Sequence, residues 1–420
     1  MSLKSSTPEA IQSLVHRITQ AANNLATVNG SLQFESESAR RELVAAAEQL
    51  LLAVRSPEEN IFSIAQQPAQ NAALRCAIAL GVPDALPANG DSCSLDDLSR
   101  TLKAEKTLLS RILRACVATS TLSEPSELCY AHNAVSRTLL SSANRALLTL
   151  MYDYNGRAII ALPEFLQARK WQDAGSYRDC SFMLGSHTAL PMWEYRDKDE
   201  RCRETFDLGM ESEIVAALSV GKAIGSFPFG RELVPIPSVT DNNKQHGLQE
   251  ELTIVDLGGG HGQALQDIRA DHPELLAARF VLMDVEAVIL DAITAGLPAW
   301  METVAGSFFE PLPAPIRGAQ VYYLRRCLHN WDDAACGILL RNVAAAMDAV
   351  QSRLLITDMV IDNTNAVKEM AWEDLNMMTI GGIERTERHW RCLLGDCGFR
   401  IHKIWRQTPT EHATIDARLK

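Results

Sequence analysis

The sequence predicts an α/β protein with a helical amino-terminal part and a carboxyl-terminal domain built on a mostly parallel sheet. Amphipathic helical patterns and turn-forming residues fill the first part of the chain, whereas apolar strand-like runs alternate with helical patterns after residue 251. A glycine cluster at residues 258–262 directly follows the first of these strands. This position predicts a ligand-binding loop at the carboxyl edge of the sheet.

Length, composition and charge narrow the class of protein. The chain has 420 residues, of which 47% are hydrophobic and 22% are charged, and this length suffices for two or three globular domains. Its net charge of -12 argues against nucleic-acid binding, because proteins that bind phosphate backbones concentrate Lys and Arg on one face. The longest apolar stretches, such as residues 71–80, are too short to span a membrane. We therefore predict neither a nucleic-acid partner nor a membrane partner.

The cysteines and the first residues bear on the compartment. Ten cysteines are scattered without CxxC spacing, which predicts reduced thiols and no structural zinc. The first seven residues contain no apolar signal core. We therefore expect a cytoplasmic protein.

Residues 1–145 are predicted to form a helical and winged-helix-like dimerisation domain. Two amphipathic helices are expected between Pro8 and Val54, followed by short helices separated by turns. One of these short helices begins after the capping residue Ser94, and a wing is expected to end near Tyr130. A helix-turn-helix of this kind is compatible with DNA binding, but the acidic charge balance favours dimerisation or a substrate lid.

Residues 146–250 are predicted to form a helical substrate-pocket region and a linker. Aromatic and methionine residues recur from Leu147 to Gly225, and those that face a cleft would form an apolar wall for a flat aromatic ligand. The stretch from Gly225 to Glu251 is rich in Gly, Pro, Ser and Asn. It is therefore predicted to be a linker or an exposed loop.

The glycine loop predicts a nucleotide-type ligand for residues 251–420. Gly258, Gly260 and Gly262 follow the strand-like run Thr253–Leu257 and permit a tight turn that a ligand can approach closely. Asp284 ends the next apolar run and is the candidate that binds ribose hydroxyls. NAD, FAD and S-adenosylmethionine (SAM) all bind such loops, but the late position of the first strand disfavours a dinucleotide. The absence of a Gly-Lys-Ser ending disfavours ATP and GTP.

Further candidate side chains follow later strand-like runs and converge on the same edge of the predicted sheet. They are Ser307, Phe308, Arg325, Arg326, His329, Asp358 and Glu384. Ser307 and Phe308 are placed to contact an adenine by hydrogen bonding and stacking. A histidine beside two carboxylates has the composition of a general-base site that deprotonates a phenol. Alternatively, His329 is a helix-start residue that hydrogen-bonds a local carbonyl; metal binding is disfavoured because no second histidine lies at ligand spacing.

From about Asn60 to the end, the chain resembles the caffeic-acid-type O-methyltransferases of plants and the natural-product O-methyltransferases of fungi. The resemblance is most specific at the glycine loop, at Leu324–Asp333 and at Gly381–Thr386; Trp193–Tyr195 also resembles the substrate-domain helices of the family. It implies a Rossmann-like class I methyltransferase domain and SAM as cofactor. The apolar stripes of the amino-terminal helices need a partner to cover them, which predicts a homodimer. By the same resemblance, the residues around SAM are Gly258, Gly260, Asp284, Ser307, Phe308 and Arg325, and the catalytic residues are the base His329 with Asp358 and Glu384 flanking it.

The chain departs from the usual family pattern at Ser307 and Asn330, which replace Asp, and at Asp358, which replaces Glu. Because Asp358 is one methylene shorter, we expect it to hold His329 less closely. The loop before Glu384 is about one residue shorter than in the fungal proteins.

The leading prediction is SAM-dependent methylation of a hydroxyl on an aromatic or polyketide-like secondary metabolite, a small-molecule substrate. The alternative is a pericyclase that keeps SAM bound, in which Arg325, Arg326 and His329 donate hydrogen bonds to a carbonyl. The presence of His329 favours the transferase. A third hypothesis is a catalytically silent SAM-binding or regulatory subunit, which only the helix-turn-helix supports.

Overall fold

The computed structural model describes residues 7–23, 25–28, 31–34, 37–173, 176–212, 224–233, 252–364, 366–407 and 412–420. The chain divides into two compact units, Met1–Thr138 and Leu139–Lys420. The three functional segments with boundaries after residues 145 and 250 remain a prediction.

The amino-terminal unit begins with the two predicted helices, Pro8–Asn23 and Glu37–Val54. Between them lies an antiparallel hairpin that the sequence analysis missed, formed by strands β1 (Leu25–Val28) and β2 (Ser31–Phe34). The helical periodicity on both sides of the hairpin gave no indication of these short strands.

The rest of this unit contains the predicted helices and wing. The helices are Pro57–Ala65, Gln67–Leu80, Val82–Ala85, Leu95–Leu102, Lys106–Ala118 and Ala134–Arg137. Strands β3 (Cys93–Ser94), β4 (Ser123–Ser126) and β5 (Cys129–Ala131) form an antiparallel sheet in the order β3-β5-β4. The Oγ atom of Ser94 accepts a hydrogen bond from the backbone N–H of Asp97, as its predicted capping role requires.

The carboxyl-terminal unit begins with helices whose apolar faces pack together. They are Ser142–Leu150, the π-helical turn Met151–Asn155, Gly156–Ala168, Ser181–Gly185, Met192–Lys198 and Glu200–Met210; the short helix Phe229–Leu233 follows them in the chain and packs against the sheet instead. Phe182 and Met192 are buried among the helices before it. Trp193, by contrast, is only partly buried.

The prediction of a linker or exposed loop from Gly225 to Glu251 is wrong for the part that the structure describes. Phe227 and Phe229 are buried, with ring centroids 5.7 Å from Trp405 and 5.8 Å from Tyr323, respectively. The Gly and Pro residues dominated the composition, but these two phenylalanines fix the segment against the sheet. Residues 234–251, which include the run Asp241–Lys244, lie outside the described residues.

A seven-stranded sheet forms the centre of this unit, in the order β13-β14-β10-β9-β6-β7-β8. Its first five strands in chain order pair in parallel, whereas β14 runs antiparallel to both β10 and β13. This confirms the predicted mostly parallel sheet, to which β13 and β14 add an antiparallel pair at one edge. The strands are β6 (Thr253–Leu257), β7 (Arg279–Asp284), β8 (Met301–Ala305), β9 (Val321–Arg325), β10 (Arg353–Asp358), β13 (Phe399–Trp405) and β14 (Ala413–Leu419).

Helices and one small strand pair complete the unit. The helices are Gln263–Asp271, Glu286–Ala295, Asp333–Ala346, Lys368–Thr379 and Glu387–Asp396, with 3-10 turns at Pro273–Leu275, Ala314–Ile316 and Leu328–Asn330. Strands β11 (Val360–Ile361) and β12 (Arg385–Thr386) pair in parallel. This pairing ties the loop that carries Glu384 to the segment that follows β10.

The strand order places a topological switch between β6 and β9. From β6 the chain continues through β7 to β8, and it then returns to the other side of β6 to form β9 and β10. Open α/β sheets bind ligands outside the carboxyl ends of the strands at such a point. Among the described residues, no helix combines the length and hydropathy that a membrane crossing requires.

Candidate active site

The glycine loop has the conformation that the sequence predicts. Gly258, Gly260 and Gly262 have φ angles of 72°, 58° and 73°, in the left-handed region that favours glycine. A Cβ atom built on Gly260 meets no atom within 4 Å. The backbone therefore borders open space where a ligand can lie against it.

Asp284 is held beside this loop by two backbone donors. Its Oδ2 atom accepts a hydrogen bond from Gly260 N at 2.9 Å, and its Oδ1 atom accepts one from Val285 N at 2.8 Å. Burial raises the pKa of the carboxyl group, and these two N–H groups oppose that rise. Each oxygen keeps a second lone pair, so the carboxylate can also accept hydrogen bonds from two ribose hydroxyls.

Asp256, at the carboxyl end of β6, is a second buried carboxyl group beneath the loop. Its Oδ2 atom has no hydrogen-bond partner among the described residues, and a Cβ atom on Gly259 would lie only 2.4 Å from it. Burial raises the pKa of Asp256 to about 7, against the opposing charge of Arg325. The sequence analysis assigned no role to this residue.

Ser307 and Phe308 follow β8 and lie at the same edge of the sheet. Ser307 Oγ accepts a hydrogen bond from Phe309 N at 3.2 Å, which fixes the turn. A Cβ atom on Gly258 would lie 3.1 Å from the Phe308 ring, so this ring borders the glycine loop. Arg325 ends β9, where its backbone is paired with Thr357 of β10.

The structure brings the three predicted catalytic residues together. His329 is buried in the 3-10 turn after β9, and its Nδ1 atom lies 2.6 Å from Glu384 Oε1 and 3.7 Å from Asp358 Oδ1. Nδ1–H therefore donates to Glu384, and Nε2 remains available to accept a proton. The longer distance agrees with the expectation that Asp358 holds the imidazole less closely.

The two carboxylates outweigh burial in setting the protonation of His329. Burial lowers the pKa of the imidazole, but the charges of Asp358 and Glu384 raise it to about 9. Arg326 opposes the two carboxylates. Burial also raises the pKa of Asp358, to about 6.

The loop that carries Glu384 is built around the His329 turn. Ile383 N donates to the carbonyl oxygen of His329 at 2.8 Å. A Cβ atom on Gly382 would lie 2.2 Å from that same oxygen, so only glycine allows this approach. Glu384 N in turn donates to Asp374 Oδ1 at 2.9 Å.

Arg385 locks these two segments together, a role that the sequence analysis did not assign. Its fully buried guanidinium donates to the carbonyl oxygens of Leu328 and Trp331 at 3.0 Å and 2.8 Å. It also donates to Asp333 Oδ1 through Nε and a terminal nitrogen. Arg385 therefore fixes the backbone on both sides of His329.

Two further residues, His412 and Arg326, lie near His329, although neither is one of the three predicted catalytic residues. His412, just before β14, is buried, and its Nε2 atom has no hydrogen-bond partner among the described residues. Burial, together with the charges of Arg326, His329 and Arg325, lowers the pKa of His412 to about 3. The imidazole of His412 is therefore neutral, although it lies near the positively charged groups of Arg325, Arg326 and His329. Arg326 follows β9 directly, and its charge interacts with Glu373, Asp358 and Glu384.

An aromatic wall connects the glycine-loop side of the site with the helical region. The centroid of the Trp331 ring lies 4.8 Å from Phe309, 6.1 Å from Trp193 and 4.9 Å from Tyr177. Trp193 in turn packs against Phe206 at 5.5 Å. Rings of this kind can form an apolar wall for a flat ligand.

Two further features of the site concern His261 and the possibility of metal binding. His261, a residue of the glycine loop, lies at the surface, where its Nε2 atom is 3.0 Å from Asp291 Oδ2. His329, Asp358 and Glu384 each offer one potential ligand atom, and these atoms lie within 4.8 Å of one another. The Nδ1 atom of His329 is, however, engaged by Glu384 in a hydrogen bond.

The residues around the glycine loop fit SAM. The open space beside Gly260 can hold the methionyl chain of SAM. The ring of Phe308 can stack on its adenine, and the remaining lone pairs of Asp284 can accept hydrogen bonds from its ribose hydroxyls. With a mostly parallel sheet and a helical amino-terminal unit, these features define a class I methyltransferase.

Comparisons with known proteins identify the family within this class. The O-methyltransferase domain matches residues 177–400, and the O-methyltransferase dimerisation domain matches residues 63–142. The O-methyltransferase GME11366 of Pestalotiopsis microspora is 38% identical over 386 residues, which cover 91% of each chain. The chain belongs to the SAM-dependent O-methyltransferase family.

Solved structures share the whole fold. OxaC in complex with S-adenosylhomocysteine (SAH) and oxaline superposes with a TM-score of 0.82 at 28% identity, covering 98% of this chain and 99% of OxaC. A structure described as a pericyclic reaction enzyme superposes with a TM-score of 0.81 at 24% identity, covering 99% of this chain and 100% of the other. The second likeness shows the fold alone, because one fold supports different reactions.

Proposed function

We propose that this enzyme methylates a hydroxyl group of an aromatic or polyketide-like secondary metabolite, with His329 as the general base. The observation that carries the proposal is the pairing of His329 Nδ1 with Glu384 at the same sheet edge as the glycine loop. This pairing turns the proton-accepting Nε2 atom away from the carboxylates and makes it available to a substrate hydroxyl.

SAM supplies the methyl group when it is bound. The residues proposed to hold it are Gly258, Gly260, Asp284, Ser307, Phe308 and Arg325. His329 Nε2 takes the hydroxyl proton, and the charges of Asp358 and Glu384 stabilise the imidazolium that results. The turn around Arg385 keeps the imidazole in place, so that the hydroxyl oxygen is oriented as it loses its proton.

The aromatic wall supports the proposed substrate class. Trp193, Trp331 and Phe206 offer ring faces and edges for a flat unsaturated skeleton. The fungal relative is named an O-methyltransferase, and OxaC was solved in complex with SAH and oxaline. Both agree with a small-molecule acceptor.

The experiment that tests the proposal follows the methyl group. The purified protein is incubated with SAM carrying a deuterated methyl group and with a panel of phenols and enols, and the products are analysed by mass spectrometry. We expect transfer of the labelled methyl together with one equivalent of SAH, at a rate that EDTA does not change. Conversion of an acceptor without labelled product or SAH would replace the transferase with the pericyclase hypothesis, and binding without any conversion would favour the silent SAM-binding subunit.

A further inference from the structure

Arg326 has an unusual and well-fixed backbone beside His329. Its φ angle of 50° lies in the left-handed region, which is uncommon for a residue other than glycine. Arg326 N donates to Thr357 O at 2.9 Å, and its carbonyl oxygen accepts from Asn330 Nδ2 at 3.2 Å. The surrounding structure therefore holds a strained residue in place, a pattern that is concentrated at functional sites.

The guanidinium of Arg326 has charged neighbours but no direct partner among the described residues. Asp358, Glu384 and Glu373 lie near enough to act on its charge, yet none of them forms an ion pair or hydrogen bond with it within the described structure. Glu373 instead accepts a hydrogen bond from Asn376 Nδ2 at 3.1 Å. A guanidinium carries five N–H donors, so donors remain available at this edge of the site.

The contrast with Arg385 shows that Arg326 does not serve the same structural purpose. Arg385 is fully buried, and its donors are consumed by Leu328, Trp331 and Asp333. Arg326 is only partly buried, and its donors are not consumed in this way. Arg385 holds the turn together, whereas the guanidinium of Arg326 is unpaired within the described residues and lies near enough to His329 for the two charges to interact.

We propose that Arg326 binds a carbonyl or enolate oxygen of the acceptor that lies next to the hydroxyl deprotonated by His329. The inference rests on the proposed function, because His329 Nε2 must accept the hydroxyl proton. The acceptor must then present a donor to His329 and an acceptor oxygen to Arg326. The substrate class that meets both demands is a hydroxyl ortho or peri to a carbonyl.

This pairing would solve a chemical problem of such substrates. A hydroxyl beside a carbonyl forms an internal hydrogen bond that holds the proton away from an external base. A charge-assisted hydrogen bond from Arg326 to the carbonyl competes with that internal bond. The hydroxyl is then released towards His329, and the positive charge of Arg326 stabilises the oxyanion.

The test compares two acceptors that differ in the carbonyl oxygen, 2-acetyl-1-naphthol and 2-ethyl-1-naphthol. Their dissociation constants are measured by calorimetry on SAH-loaded wild-type protein and on the variants Arg326→Gln and Arg326→Lys. We expect the wild type to favour the acetyl compound by about ten- to a hundredfold, since loss of a hydrogen bond to a charged group has that effect. The preference should vanish in Arg326→Gln and persist only in part in Arg326→Lys, which keeps the charge but not the planar fork of donors.

Arg388→Gln is the matched control, because Arg388 is exposed on the helix Glu387–Asp396. Unchanged SAH affinity shows that each variant is folded. Wild-type protein that binds neither naphthol or binds both equally would overturn the inference, as would an undiminished preference in Arg326→Gln. The wild type is also loaded with SAM and given the acetyl compound. Preferential binding of that compound without methylated product or newly formed SAH would remove the proposed function and leave Arg326 as a carbonyl-binding residue.

Discussion

Nδ1 of His329 lies 2.6 Å from Oε1 of Glu384, whereas the nearest oxygen of Asp358 lies 3.7 Å away. The two carboxylates therefore have different parts in the same centre. Glu384 fixes the tautomer and orientation of the imidazole through a hydrogen bond, and Asp358 acts on it through charge alone. This difference determines how variants of the two residues should behave.

The first prediction concerns the pH dependence of methyl transfer. Only the neutral imidazole can accept a proton, and the structure raises the pKa of His329 to about 9. The rate should therefore increase with pH through the neutral range and level off above the pKa of the base. The charged groups that face the imidazole are Asp358, Glu384 and Arg326, and His412 beside it is neutral.

Glu384→Gln makes this prediction specific. It removes a negative charge and a charged hydrogen-bond acceptor that favour the imidazolium, so the inflection should move to lower pH. The plateau should also fall, but by less than in a His329 variant, because the amide orients the ring less well but leaves the base present. Asp358→Asn should move the inflection in the same direction. An inflection that moves to higher pH in either variant would show that the titrating group is not His329.

The second prediction concerns Asp284 and the cofactor. Asp284→Asn keeps the side-chain size but removes the charge that we propose binds the ribose hydroxyls. The affinity for SAH should fall about ten- to a hundredfold, which corresponds to roughly 1.5–3 kcal/mol. Calorimetry checks this value, with NAD as a ligand that should not bind. Glu286→Gln, on the helix that follows, is the control, and equal affinities for SAH in wild type and Asp284→Asn would exclude Asp284 from the site.

The third prediction concerns Arg385. Arg385→Met leaves the carbonyl oxygens of Leu328 and Trp331 without their donors, at a cost of roughly 1–3 kcal/mol for each buried group. The free energy of unfolding of the carboxyl-terminal unit should fall by about 3 kcal/mol in urea. The exposed Arg391, paired with Glu387, provides the control Arg391→Met, which should cost less than about 0.5 kcal/mol. Similar losses in the two variants would mean that Arg385 does not lock the turn.

The fourth prediction concerns assembly. Ile61, Phe62 and Ile64 on the helix Pro57–Ala65 are 68%, 66% and 67% exposed, and this apolar surface needs a partner. Because the chain contains a dimerisation domain, we expect a homodimer in which these residues are covered and one subunit completes the other's pocket. Phe62→Asp should shift light scattering towards the monomer, whereas Glu58→Gln on the same helix should not. A wild-type monomer, or a dimer unaffected by Phe62→Asp, would contradict this assignment.

The sequence predicted the sheet and most of the site because these depend on local patterns. The strand-like runs, the left-handed glycines and the carboxylates at strand ends are all visible within a few residues. The contact between His329 and Glu384 joins residues 55 positions apart. The convergence of strand ends predicted that both lie at one edge of the sheet, but the hydrogen bond between them depends on how the two loops pack.

The features that the sequence did not predict depend on tertiary contacts. Arg385 lies within the motif Gly381–Thr386, but its hydrogen bonds to Leu328 and Trp331 form only when the loop of this motif packs against the turn that carries His329. Phe227 and Phe229 were hidden by the glycines and prolines around them, because composition does not show which neighbours a side chain will meet. Nothing in the sequence predicts the left-handed backbone of Arg326, because that conformation is also fixed by contacts with other parts of the fold.

The most direct test of the account is a single-turnover measurement of methyl transfer by wild type and His329→Gln, both loaded with SAM. We predict equal affinity for SAM and a rate that falls by roughly a hundred- to ten-thousandfold in the variant, because a general base acts in the transition state. Methylated product and SAH should appear together in both proteins. A His329→Gln variant that converts its substrate at the wild-type rate would contradict the account, and the absence of SAH from both reactions would exclude methyl transfer itself.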